Sequence, residues 1–240
     1  MKKILKAFRL VLVKAYLRAL HKGVAAAIEH QELLNSINCS TIVDIGANKG
    51  QFTLVARHCF PNSIIISFEP LSEPAAKFRK VFQKDEKTTL HQAAIGPSRE
   101  ITTMHVSQSN DSSSLLPISS VQTTIFLGTQ EVDTIEVRVS PLDGFVSANE
   151  LMPPAMLKLD VQGFEYEALV GCESLLQHFA FVYCECSFLE LYSGQKLAHE
   201  IIDWLSTRGF GLVGVYNAYY DRLGRAIQAD LLFSRIDSTH

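Results

Sequence analysis

The sequence predicts an α/β protein with a mostly parallel sheet covered by helices on both faces, and three observations lead there. Short runs rich in β-branched residues alternate with stretches of helical spacing. The first run passes through a glycine-containing turn straight into the first helix. The 240 residues, 47% apolar and 20% charged with a formal charge of -3, have an ordinary globular composition. That composition excludes disordered, collagen-like and coiled-coil chains, and the charge balance gives no overall reason to expect nucleic acid as a partner.

Taken in order, the chain opens with a segment of different character. Lys2, Lys3, Lys6, Arg9, Lys14, Arg18 and Lys22 precede the first acid, Glu29, and apolar residues at helical spacing lie between them. The pattern predicts a basic amphipathic helix. It is not a membrane span, because Lys14 and Arg18 interrupt what would have to be about 20 apolar residues. Packing on its own domain, on a second copy in a homodimer, or on the anionic inner face of a membrane all fit such a helix. We therefore divide the chain into a basic helical segment, 1–37, and a domain over 38–236. The five cysteines, Cys39, Cys59, Cys172, Cys184 and Cys186, lack the spacing of a secreted disulfide scaffold. No signal-peptide pattern precedes them, so a reducing cytoplasm is expected.

Within the domain, strand-length runs at 41–45, 64–68, 156–159, 179–183 and 212–216 are interleaved with helical stretches at 52–58, 75–82, 166–176 and 197–207. Two alternating runs, 101–106 and 134–139, break the order and predict an inserted β-hairpin. The Ser-, Thr- and Gln-rich connection between them is too long for an idle turn and reads as a loop over the site. Ligands of such sheets bind beyond the carboxyl ends of the strands.

The turn after the first strand reads Asp44-Ile45-Gly46-Ala47-Asn48-Lys49-Gly50-Gln51-Phe52. A phosphate-cradling Walker loop needs Lys and then Ser or Thr after its last glycine, and Gly50 is followed by Gln51. The dinucleotide fingerprint needs G-x-G-x-x-G, and Asn48 stands where its second glycine would be. The remaining ligand class is S-adenosylmethionine, which carries a sulfonium and an ammonium but no phosphate. Asp44, ending the first strand, is placed to face the cationic methionine part. Glu69, ending the second, is placed to accept both hydroxyls of the ribose.

The chain resembles the FkbM family of S-adenosylmethionine-dependent methyltransferases. The resemblance rests on Val43 to Gly50, on Ser67-Phe68-Glu69-Pro70 and on Ala93-Ala94-Ile95-Gly96. It continues through Leu157-Lys158-Leu159-Asp160-Val161-Gln162-Gly163-Phe164-Glu165, Glu185-Cys186-Ser187-Phe188, Tyr192-Ser193-Gly194-Gln195 and Asp230-Leu231-Leu232-Phe233. It runs from about 38 to 235 and is made specific by the stretch ending at Glu165. It implies a Rossmann-like class I methyltransferase fold, seven-stranded with the last strand antiparallel. The reaction implied is methyl transfer to a hydroxyl of a sugar, a polysaccharide precursor or another small acceptor. The cofactor contacts expected with it are Asp44, Gly46, Ala47, Asn48, Gly50, Phe52, Glu69, Pro70, Ala93, Ala94, Ser113 and Asp160.

Methyl transfer is an in-line displacement. Alignment of the reactants can supply roughly 7–11 kcal/mol, and a positioned base adds about two to four orders of magnitude. Asp160, which closes the strand run at 156–159, is the candidate to take or orient the acceptor proton. Glu165 and Glu185 are the acids expected beside it. Carboxylates of this kind also suit a hard cation, but no metal is assigned. His91 and Trp204 read as packed residues, Cys184 and Cys186 as two residues on one sheet face, and Tyr216, Tyr219, Tyr220 and Asp221 as candidate acceptor-pocket residues. The rival readings are an NAD-dependent oxidoreductase and an inactive binding module that keeps the fold.

Overall fold

Residues 41–45 are buried without exception, as a strand covered on both faces must be. The computed structural model describes residues 13–236. Its elements run α1 (Lys14–Leu20), α2 (Gln31–Ser36), β1 (Thr41–Ile45), α3 (Gln51–Cys59), β2 (Ile64–Phe68), α4 (Ser72–Phe82), β3 (Thr88–His91), β4 (Ala94–Ile95) and β5 (Glu100–Ser107). They continue with α5 (Ser120–Ile125), β6 (Glu131–Ser140), β7 (Ala155–Leu159), α6 (Glu165–Gly171), β8 (Phe181–Ser187), α7 (Ala198–Ser206), β9 (Phe210–Tyr220) and β10 (Ala226–Arg235).

The main sheet is seven-stranded, in the order β3-β2-β1-β7-β8-β10-β9, and only β10 runs antiparallel to its neighbours. Strand periodicity sends successive side chains to opposite faces. Ile42, Ile65 and Met156 join one apolar cluster, and Val43, Ile66 and Leu157 join the other. The parallel strands β1, β2, β7 and β8 therefore end along one edge, where the glycine turn, Glu69 and Asp160 gather.

The helix expected over residues 2–22 lies largely in residues outside the described ones. Its described part, α1, buries Tyr16 and Ala19 and sets the Tyr16 ring edge-on to His58. Residues Val24, Ala26, Leu33 and Leu34 continue from it into the same apolar cluster as Ile42 and Phe52. No helix among the described residues is long and apolar enough to cross a membrane. The five cysteines are free.

Three elements differ from the sequence reading. The helix expected over 166–176 stops at Gly171 and continues as a 3-10 turn, Glu173–His178. A Cβ on Gly171 would lie 2.4 Å from the Gly96 carbonyl oxygen, so the helix end is pressed on that backbone. Strand β8 begins later and runs to Ser187, which puts Glu185 inside the strand rather than at its close. The hairpin β5–β6 forms and gains β4 as a third strand. Its connection carries structure of its own: α5 and an apolar cluster in which Leu116, Ile118, Ile125 and Phe126 pack against Leu191, Tyr192 and Ile227.

Candidate active site

The glycine turn is held by backbone. The amides of Gly46 and Ala47 both donate to the Phe68 carbonyl oxygen at the end of β2, at 3.0 and 2.9 Å. Gly46 has φ +80°, and a Cβ there would sit 1.8 Å from the carbonyl oxygen of Asp160. Only glycine lets the loops after β1 and β7 approach this closely. Asn48 is itself left-handed, at φ 46°. Its amide donates to Glu69 Oε2 at 2.9 Å, and the Leu71 amide donates to Glu69 Oε1 at 2.7 Å. Burial pushes the Glu69 carboxyl up to about 7, against the pull of these two amides and of Lys158. The side-chain oxygen of Asn48 is buried without a hydrogen-bond partner.

Under the turn lies a cation that the sequence reading did not single out. Lys158 Nζ is 3.0 Å from Asp44 Oδ1 and 3.6 Å from Asp160 Oδ2. It also donates to the Gly46 carbonyl at 3.3 Å and lies 5.3 Å from the centre of the Phe52 ring. Burial alone would lower its pKa, but Asp44 and Asp160 together raise it above the ordinary lysine value. Asp44 also accepts from Thr53 Oγ1 at 2.7 Å. Contrary to expectation, Asp44 therefore sits beneath the loop, tied to Lys158 and Thr53, and does not line the cavity.

Beyond β7, Gln162 adopts φ 56° and bridges two acids. Its Nε2 donates to Asp160 Oδ1 at 2.8 Å and to Glu185 Oε2 at 3.0 Å. Gln228 Nε2 donates to the other Glu185 oxygen at 2.8 Å. Burial, then Asp160 and Asp230, drive the Glu185 pKa well above the usual carboxylate value. Tyr192 OH donates to Gln162 Oε1 at 2.9 Å and lies 3.1 Å from the Ser112 carbonyl in the connection above. Glu165 turns away from this group. Its Oε1 accepts the Val161 and Gly163 amides at 3.0 and 3.1 Å, closing the loop after β7. Burial pushes it up to about 7.

These walls enclose a cavity of about 390 Å³, within the size range of small-molecule sites. Of the expected site residues, Gly46, Ala47, Asn48, Phe52, Glu69, Pro70, Ala93, Ala94, Ser113, Asp160 and Glu185 line it. Asp44, Gly50 and Glu165 do not. Gly50, at φ +91°, instead packs where a Cβ would meet the Phe82 ring at 2.5 Å. His91 stacks on Phe68 at 5.1 Å, as a packed residue. Tyr216 sets its ring against Tyr183, and Tyr219 packs on Phe126. No group of three or more His, Cys, Asp or Glu among the described residues is arranged to hold a metal ion.

A second part of the cavity wall was not foreseen. His30, Asn217 and Asp230 line it, with Tyr183 behind them. Tyr183 OH is 2.8 Å from His30 Nδ1 and 3.0 Å from Asp230 Oδ2, and Asn217 Nδ2 donates to that oxygen at 2.7 Å. Asn217, at φ 47°, turns its amide inward from β9. Asp230 stands in one of the quoted motifs, but short motifs do not assemble the group, because its members come from distant parts of the chain.

A sheet of this order, with acids and a glycine turn at its carboxyl edge, has the Rossmann-like fold of class I methyltransferases. The methyltransferase FkbM domain matches residues 44–212, and the chain belongs to that family, whose members are S-adenosylmethionine-dependent methyltransferases. It is 24% identical to the 2-O-methyltransferase NoeI of Sinorhizobium fredii over 228 residues, 92% of this chain and 90% of that protein. Solved structures similar to it include precorrin-6y C5,15-methyltransferase from Geobacter metallireducens, at 11% identity and a TM-score of 0.49, covering 89% of this chain and 94% of that one. An rRNA methylase from Streptococcus thermophilus is similar at 11% identity and a TM-score of 0.49, over 86% of this chain and 94% of that one.

Proposed function

We propose that this protein binds S-adenosylmethionine in the cavity described and transfers its methyl group to a hydroxyl of a sugar, a glycan or another small acceptor. One observation carries the donor assignment. Glu69 is fixed at the end of β2 by the Asn48 and Leu71 amides, beside the unpartnered Asn48 oxygen. Two acceptor groups held in place at the end of β2 suit a ligand that brings hydroxyl and amino donors. The rest of the donor set fits the same molecule. Asp160 and Glu185 supply acids at the far end of the cavity, and the glycine turn lacks the residues of a phosphate cradle.

When bound, S-adenosylmethionine supplies an electrophilic methyl on a sulfonium, whose positive charge disappears as the methyl leaves. The protein's part is to hold and align. Glu69 and the turn fix one end, and Lys158 keeps Asp44 and Asp160 in register beneath the loop. Asp160, bonded on one oxygen by Gln162, is placed to orient the acceptor hydroxyl. The likeness to a 2-O-methyltransferase supports oxygen as the atom methylated.

Isothermal calorimetry with S-adenosylhomocysteine and with NAD tests the donor assignment. Heat with the first and none with the second is expected, and the reverse result rejects it. Transfer of labelled methyl to a panel of methyl glycosides then tests the acceptor class. Incorporation only into amines would reject oxygen.

A further inference from the structure

A second group of residues lining the cavity, His30, Asn217 and Asp230, is held by hydrogen bonds that fix a chemical state. Tyr183 has one hydroxyl proton, and it is donated to Asp230 Oδ2 at 3.0 Å. Asn217 Nδ2 donates to the same carboxylate oxygen at 2.7 Å. The phenol oxygen, 2.8 Å from His30 Nδ1, can then meet that nitrogen only as an acceptor. Asn217 Nδ2, a donor only, lies 3.3 Å from Nδ1 and 3.4 Å from the Tyr183 oxygen; with its second proton directed to the phenol, Nδ1 carries the imidazole proton and Nε2 keeps its lone pair. The ring's hydrogen bond to Tyr183 runs through Nδ1, and no hydrogen bond of Nε2 is found among the described residues. The ring itself lines the cavity and is wedged edge-on against Phe52 and Tyr183.

The acids nearer the turn are less suited to removing a proton. Asp160 has Lys158 near one oxygen and Gln162 on the other. Glu185 has a glutamine amide on each of its oxygens. His30 offers the cavity a ring held from behind by Tyr183, with Nε2 unbonded among the described residues.

Resting on the methyltransferase reading above, we propose that His30 is the acceptor-side base. Its Nε2 takes the proton of the acceptor hydroxyl as the oxygen bonds to the methyl carbon and the carbon–sulfur bond breaks. The products are a methyl ether, a neutral thioether and an imidazolium. The Tyr183–Asp230 pair then receives the charged ring, with Asp230 Oδ2 at 3.6 Å from Nδ1. This is the division of labour of a base held in its working tautomer by an acid behind it. The surroundings agree. Burial lowers the His30 pKa, Lys158 on β7 adds to that, and Asp230 on β10, Glu29 beside it and Asp160 oppose it. The ring is thus neutral at neutral pH and available to accept a proton.

The test uses the full-length protein labelled with 15N-histidine, with the His30 signals assigned from His30→Gln. At neutral pH the wild type is expected to show the neutral Nδ1–H tautomer. Tyr183→Phe, which removes the acceptor at Nδ1, is expected to let the Nε2–H form appear. An Nε2–H or doubly protonated His30 in the wild type overturns the proposal. In methyl transfer to the glycoside panel, His30→Gln is expected to lose about 10²–10⁴-fold in rate while binding S-adenosylhomocysteine as the wild type does. Equal transfer rates also overturn it. If the wild type fails to bind S-adenosylhomocysteine, the donor reading falls instead, and the tautomer measurement still decides the state of His30.

Discussion

The two walls of the cavity are built in different ways. The donor wall is backbone work. Amides of Gly46, Ala47, Asn48 and Leu71 set its shape, and all of its parts fall within a short stretch of sequence. The second wall is made of side chains meeting side chains, His30, Tyr183, Asn217 and Asp230, drawn from the segment before β1 and from β8, β9 and β10. A backbone-built wall tolerates few changes at its glycines and leaves a compact signature. A side-chain wall drawn from distant segments leaves no compact signature.

Substitutions can break this contrast or sharpen it. The largest effect is expected beneath the donor wall, where Lys158→Met leaves the Asp44 carboxylate buried without its cation. Removing one partner of a buried pair costs about 3–5 kcal/mol. Urea unfolding should show this loss, and Asp44→Asn combined with Lys158→Met should recover most of it. Gly46→Ala must place a methyl group against the Asp160 carbonyl in a left-handed backbone. A cost of about 2–4 kcal/mol is expected from strain and overpacking, with loss of S-adenosylhomocysteine binding by calorimetry. A stable, binding Gly46→Ala would contradict the backbone account of that wall.

Glu165 offers a test through pH. Its pKa rises from 4.5 to about 7 on burial, so the folded state holds the proton more tightly than the unfolded chain. Its stabilising share is complete below about pH 4.5 and is lost as pH rises through about 7. Glu165→Gln keeps an oxygen for both the Val161 and Gly163 amides and removes the titration. The variant should match the wild type in acid and exceed it by roughly 3 kcal/mol above neutrality, read from unfolding curves at a series of pH values. The smallest effect is expected from Tyr192→Phe, about 1 kcal/mol of stability, accompanied by faster hydrogen exchange at residues 110–115.

The sequence made much of the fold legible because hydrophobic periodicity reports it directly. The expected runs at 41–45 and 64–68 coincide with β1 and β2, since β-branched residues buried on both faces leave an unbroken apolar run. β3, at a sheet edge with mixed burial, left no such run and went unread. Of the candidate site, Glu69, Asn48 and Asp160 were legible because each follows a strand on the ligand edge. Asp44 was read as facing the ligand because nothing local announces that Lys158, a partner on β7, draws it under the loop. His30 was invisible for a related reason: its meaning depends on Tyr183 and Asp230, which only the folded sheet brings beside it.

The Tyr192 hydroxyl touches both the Ser112 carbonyl in the hairpin connection and the amide of Gln162 that separates Asp160 from Glu185. Roof and acids are thereby latched by one phenol. Loss of that phenol would therefore be felt at the connection above the cavity and between the two acids at once.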